Sequence, residues 1–363
     1  MTNAPGWGPT PPQGPPPGPP YGGWGWGAPP PPKPGVIPLA PLGLDQILGG
    51  ALATMRRYPG PLFGTIGTAY GLLLLLVAGA GAVAYRSVAG HLRALLHSTA
   101  EVPPQWADGR PVLVAFAAVW GIAVLLMLPV TAFTQAACPS VLESAVLGRA
   151  TTVGAVFRRA ASRTLPALGV LLLITLMVTV PWLLLAGGGG ALIIAAASAG
   201  DGSGVAVASV LMVLVCLALA PLSIWLSVRF SLAPPAVVLE SAGPGRALRR
   251  SAGLVRGAWW RIFGVTALAY GIVAVTAGAF RLPLMFVGPQ PGLSPRFQEA
   301  DTPGEVLSQV LPGMVVSTGL SLAVTLVMQI VFAAFVPLVT TLLYLDQRIR
   351  KEGLADQLAA AAG

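Results

Sequence analysis

Few residues in this chain have the chemistry to support a reaction. There are two histidines and two cysteines in 363 residues. His91 and His97 stand near Glu101 and Asp108, between two apolar runs, and a second acidic group holds Glu299, Asp301 and Glu305. Imidazole and carboxylate together are the materials of a metal site or a general acid–base pair. The spacing argues otherwise. His91 and His97 are six residues apart, which does not set them on one helix face as an i, i+4 pair would be. They read as loop histidines beside a solvated segment, and the two acidic groups would have to converge to matter. Cys138 and Cys216 fall at the edge and middle of different apolar runs, so both read as small packing residues and no disulfide framework is expected. The chain carries no Gly-rich phosphate loop, Cys-x-x-Cys or nucleophile motif. No catalytic residue, metal or cofactor is therefore assigned, and a non-enzymatic protein is expected.

The arginines form a clearer pattern. Arg56 and Arg57, then Arg158 and Arg159, then Arg249, Arg250 and Arg256 each follow an acid and an amphipathic stretch. Leu44-Asp45 opens the first stretch, Val141-Leu142-Glu143-Ser144 the second and Val238-Leu239-Glu240-Ser241 the third, with the acids 98 and 97 residues apart. An acid in the first turn and arginines in the last suit a helix dipole. An apolar stripe flanked by arginine suits a helix lying in the membrane surface. The second stripe is read as one helix through Val141, Leu142, Ala145, Val146, Val153, Val156, Phe157 and Ala160. The seven arginines are expected to touch lipid headgroups.

These clusters need elements to hold them. Apolar residues make up 55% of the chain and charged ones 9%, with a mean hydropathy of +0.77. Soluble domains carry about 25% charged residues, so a water-soluble enzyme is excluded and lipid must be the solvent for much of the chain. Six continuous apolar runs are read as membrane-spanning helices near 62–85, 112–136, 165–186, 205–228, 262–280 and 314–343. The last is too long to cross without tilting, kinking or projecting. The stretch 187–204, with Gly187 to Gly190, is left open as a loop, a helix extension or a re-entrant segment. A proline lies late in each even run, at Pro129, Pro221 and Pro337. The expected fold is an all-α polytopic bundle with three interfacial helices and a three-fold internal repeat.

With six spans, 16 of the 21 Lys/Arg fall on the side holding both chain ends and five on the other. Excess positive charge stays cytoplasmic, so a bacterial cytoplasmic membrane with both termini inside is expected. The basic balance then serves topology and anionic lipid, not nucleic acid. The spans lack central charged residues, which argues against ion-coupled transport. Gln329 lies mid-run and is the best candidate for a buried polar contact. Gly67 and Gly71 form a GxxxG that permits close packing within or between chains.

Residues 1–42 hold 16 of the 36 prolines and one charged residue, Lys33. They read as a disordered tail, with no signal peptide, which either stays solvated or docks through Trp7, Trp24, Trp26 or its prolines. The membrane domain is read as 43–350 and a short C-terminal tail as 351–363.

Several stretches carry a family resemblance. They are Pro34-Gly35-Val36-Ile37-Pro38-Leu39, Leu232-Ala233-Pro234-Pro235-Ala236-Val237-Val238-Leu239-Glu240, Ala247-Leu248-Arg249-Arg250-Ser251, Trp259-Trp260-Arg261-Ile262-Phe263 and Tyr344 through Leu354. Together they resemble actinobacterial multi-pass proteins related to the membrane domain of glycerophosphoryl diester phosphodiesterases, over roughly residues 34–358. An arginine count of 19 against two lysines also fits a GC-rich genome. The resemblance implies a membrane domain without the soluble catalytic barrel of those enzymes, for which this chain has no room. Three functions follow in order of preference. The first is a non-enzymatic module organising lipid or protein partners at the inner leaflet. Next comes a transporter or channel for a lipid-like or uncharged solute between the even spans. A lipid-modifying enzyme using the outer loops is last.

Overall fold

The computed structural model of the chain describes residues 41–96, 106–284 and 303–353. Nine helices account for nearly all of these: α1 (Leu44–Arg57), α2 (Pro59–Leu96), α3 (Trp106–Val146), α4 (Val153–Ser198), α5 (Gly202–Phe230), α6 (Ala233–Leu239), α7 (Pro244–Val255), α8 (Trp259–Leu284) and α9 (Pro303–Glu352). Six of them, α2, α3, α4, α5, α8 and α9, are long and apolar enough to cross a bilayer. The protein is a multi-pass, all-α membrane protein. Its spans pair as hairpins α2–α3, α4–α5 and α8–α9, with α1, α6 and α7 gathered at one end.

Every span outruns its apolar stretch. With 46 residues α4 is about 69 Å long, and α9 with 50 is about 75 Å, against roughly 30 Å of hydrocarbon. The open question at 187–204 closes in favour of extension: Gly187 to Gly190 lie inside α4, which runs on to Ser198. The prolines Pro129 and Pro221 lie inside continuous helices.

The second interfacial helix does not form. Its stripe is cut into the last turns of α3 and the first turns of α4. The physical cause is Gly148, at φ +67, which takes the left-handed conformation that ends helices. Its N–H donates to Ala145 O at 3.4 Å and the Arg149 N–H to Ser144 O at 2.9 Å, the paired bonds of a Schellman stop. Thr152 then caps α4 by accepting from the Ala155 N–H at 3.3 Å. The stripe residues Val141, Leu142, Ala145, Val146, Val156 and Ala160 are buried in the bundle, while Val153 and Phe157 are exposed. The interfacial helix expected three times is therefore not formed in the second stretch. The first and third survive as α1 and the α6–α7 pair.

Burial is confined to the end where α1, α6 and α7 gather. It covers Leu62, Ile66 and Tyr70 in α2, the stretch from Ala132 in α3, and nothing beyond Val170 in α4. The same boundary falls at Val228 in α5, Ala269 in α8 and Ala334 in α9. Beyond these points no described residue is buried. The core also includes Leu42, and α9 reaches Glu352. Gly67 and Gly71 meet no neighbour among the described residues, whereas Gly64, one turn earlier, lies against Val153.

Candidate functional site

The buried end is tied together by charge. Asp346, on α9, has a fully buried side chain. Its carboxylate accepts the Leu42 N–H at 2.8 Å, Arg261 Nη2 at 3.0 Å and Arg350 Nε at 2.9 Å. The same two arginines donate to the Leu42 carbonyl, at 2.6 Å and 3.1 Å. Three distant parts of the chain meet here: the lead into α1, the first turn of α8 and the end of α9. A buried carboxylate is tolerated because it is paired and saturated with donors.

A second knot lies beside it. Arg250, on α7, makes a forked contact to Glu240 through Nε and Nη2 at 3.0 Å and 2.9 Å, and a further bond to Glu352 at 2.7 Å. Arg348 donates to Glu352 at 3.0 Å, and the Tyr344 hydroxyl donates to Glu240. Bonding to Glu352, with a further contribution from Glu240, holds the Arg250 guanidinium still more firmly in its charged form, against the effect of partial burial. Lys351 closes the end of α7, donating to Leu254 O and Arg256 O, both at 2.8 Å. Elsewhere Arg159 pairs with Glu143, and Arg163 Nη2 donates to Ser241 Oγ at 2.6 Å.

The seven expected headgroup arginines thus divide. Arg159 and Arg250 are held by carboxylates, and Arg250 is a structural knot more than a free surface charge. Arg56, Arg57, Arg158, Arg249 and Arg256 are exposed, and no carboxylate among the described residues pairs with any of them. Arg149 and Arg246 join them, making seven exposed arginines at this end, whereas Asp45 is the single exposed carboxylate there without an ion pair among the described residues.

The repeated acids also diverge: Glu143 and Glu240 anchor arginines, and Asp45 does not. Reading by type and spacing missed Asp346, Arg261, Arg348 and Glu352. The signal was present as acid–base pairs four apart on one helix, 346 with 350 and 348 with 352.

Gln329 does make a polar contact, its Nε2 lying 3.4 Å from the Tyr70 hydroxyl. The pair lines a cavity of about 260 Å³ among α2, α3, α8 and α9, with Thr131, Thr134, Gln135 and Tyr270. A wider cavity of about 400 Å³ among α2, α3 and α4 is almost wholly apolar, walled by Leu72, Leu76, Leu126 and Phe133. Of the histidines and acids singled out for a reaction centre, His97, Glu101, Glu299 and Asp301 lie outside the described residues, as does the tail through residue 40. His91 sits near the far end of α2. Among the described residues no three metal-ligating side chains come together.

This layout of hairpins and ion-paired end spans residues 42–346, and a family profile described as a domain of unknown function, DUF7847, matches those same residues. The chain belongs to that family. The matched DUF7847 region opens at Leu42 and closes at Asp346, the two residues joined in the first knot. No curated protein and no solved structure matches the chain.

Proposed function

We propose that this DUF7847 protein is a non-enzymatic module of the bacterial cytoplasmic membrane, with both termini cytoplasmic, that gathers anionic lipid at the inner leaflet. The observation behind this reading is the set of seven exposed arginines at the basic end that no carboxylate pairs among the described residues, against one exposed carboxylate, Asp45, left in the same condition. Each basic group near an anionic leaflet is worth about 1 kcal/mol of attraction. The positive-inside rule orients that end toward the cytoplasm. The resemblance to the membrane domain of glycerophosphoryl diester phosphodiesterases, proteins of lipid metabolism, fits the same location, and the Pro-rich tail would offer partners a second handle.

The test is lipid enrichment around the full chain reconstituted with mixed phosphatidylglycerol and phosphatidylcholine. Enrichment of the anionic lipid should fall when Arg56, Arg57, Arg158 and Arg249 are all changed to Gln. Enrichment that survives this change would sink the reading. Arg250 is left intact because its loss would open the knot with Glu240 and Glu352. Labelling of an Arg149→Cys variant from the cytoplasmic side only would support the orientation, and labelling from outside would reverse it.

A second reading, a carrier for a lipid-like or uncharged solute, draws on the cavity at Tyr70 and Gln329. Its walls come from spans 1, 2, 5 and 6 in place of the even spans alone. Its polar groups are neutral, which suits a solute without charge. Solute flux into liposomes that stops on filling the cavity with Thr134→Phe would favour it.

A further inference from the structure

Arg229 and Arg256 set themselves apart from the other basic residues by what surrounds them. They face a cavity of about 300 Å³ between the end of α5, the end of α7 and the start of α8, lined also by Trp225, Ala252, Val255, Gly257 and Trp259. The volume is at the lower end of the range for small-ligand sites, about 300–1,000 Å³. No carboxylate among the described residues pairs with either arginine. The Arg229 guanidinium instead lies over the Trp225 ring, 4.7 Å from its centroid, a contact that holds the group in place and leaves its donors available.

The walls are built to keep this shape. Lys351 binds the carbonyls of Leu254 and Arg256, and Gly257 turns the chain at φ +82, which a side chain would resist. Ser251 Oγ donates to Arg229 O at 2.8 Å and accepts the Leu232 N–H at 3.2 Å, fixing the end of α5 against α7. The Trp259 ring is stacked on Phe263 at 5.1 Å, and its indole N–H is buried without a hydrogen-bond partner. Trp225 and Trp260 are exposed, as tryptophans are where hydrocarbon gives way to headgroups. Two guanidinium groups at one cavity, neither paired with a carboxylate among the described residues, call for one compact anion with several acceptor oxygens.

We infer that this cavity is a specific site for the phosphate of a single anionic phospholipid from the facing leaflet, held by Arg229 and Arg256. This rests on the inner-leaflet reading and deepens it, replacing a diffuse basic surface with one defined seat. Free phosphate shares the chemistry, but the cavity is walled by interfacial aromatics, which favours a headgroup whose chains continue into the bilayer.

The test is native mass spectrometry of the full chain released from phosphatidylglycerol/phosphatidylcholine nanodiscs. One anionic phospholipid should stay bound after the others are stripped. The double change Arg229→Gln with Arg256→Gln should lower its occupancy by roughly tenfold or more, and the Lys versions should retain part of it. An unchanged melting temperature in the Gln variant separates lost binding from lost folding. Should the variant melt early, the single changes Arg229→Gln and Arg256→Gln decide the matter in its place: lowered occupancy in one that melts as the wild type does supports the site, and wild-type occupancy in both overturns it. A lipid retained equally by the wild type and the Gln variant overturns the site. Displacement by excess glycerol 3-phosphate or inorganic phosphate as effective as by lipid overturns the lipid source. If bulk anionic enrichment persists while tight binding ignores Arg229 and Arg256, the site alone fails. If the tight lipid depends on both arginines but bulk enrichment is absent, the broader reading fails alone.

Discussion

The two ends of this bundle are held by different means. At the basic end the helices bury Leu62, Leu142, Leu232, Ile262 and Leu342 completely and lock them under a layer of ion pairs. Toward the other end the same helices expose Leu75, Phe116, Leu184 and Val275, each at 70% or more of its surface. Sequence composition does not distinguish them, for both halves are Leu-, Val- and Ala-rich. The solvent does. Lipid tails are as apolar as leucine, so apolar surface alone gives helices little reason to meet inside a bilayer. Close packing has to be brought about by polar links, and these cluster where the charged residues are. Elsewhere the spans share a few single bonds, such as Trp182 Nε1 to Ser223 Oγ at 2.9 Å.

The sharpest way to break this contrast is at the knot. Asp346→Ala strands Arg261 and Arg350 and leaves the Leu42 N–H without its acceptor, so a loss of about 3–5 kcal/mol is expected. Thermal unfolding in detergent should report it, and a shift no larger than that of a lipid-facing change would refute the idea that charge holds this end.

Truncation of apolar side chains gives the next largest effect. Leu342→Ala, in the buried half, should cost about 2–5 kcal/mol. Leu214→Ala, 56% exposed in α5, should stay within about 0.5 kcal/mol. Equal losses at the two leucines would mean that the far half packs as tightly as the near one.

The smallest effect concerns the polar contact midway. Gln329→Leu removes a long, partly buried bond to Tyr70, and about 0.6 kcal/mol is typical for such a bond in a membrane protein. A loss several times larger would make the cavity beside it part of the rigid half.

The number and placement of spans were legible because hydropathy reports the solvent of each helix, and lipid imposes helices on any chain that crosses it. Arg56, Arg57 and Arg249 are exposed as their clustering implied, and Gln329 meets a polar neighbour. Two things were hidden. The stripe from Val141 to Ala160 has helical periodicity on both sides of Gly148, and periodicity does not register a hairpin when the two faces bury into the same core. Likewise Arg250 is spelled like its neighbour Arg249, and its role depends on Glu352, 102 residues further on. The C-terminal acids and bases fall in a stretch that carries the family resemblance, while their partners lie in other helices, where spacing along the chain says nothing.

The Leu42 contact also has a mechanical side. Its N–H and C=O are both held by residues of α8 and α9. A pull on the polypeptide ahead of residue 42 would therefore load the end of α9 sideways before it stretched α1. Any partner that draws on the Pro-rich segment would be hauling on this ion-paired joint, with α1 shielded from the force behind it.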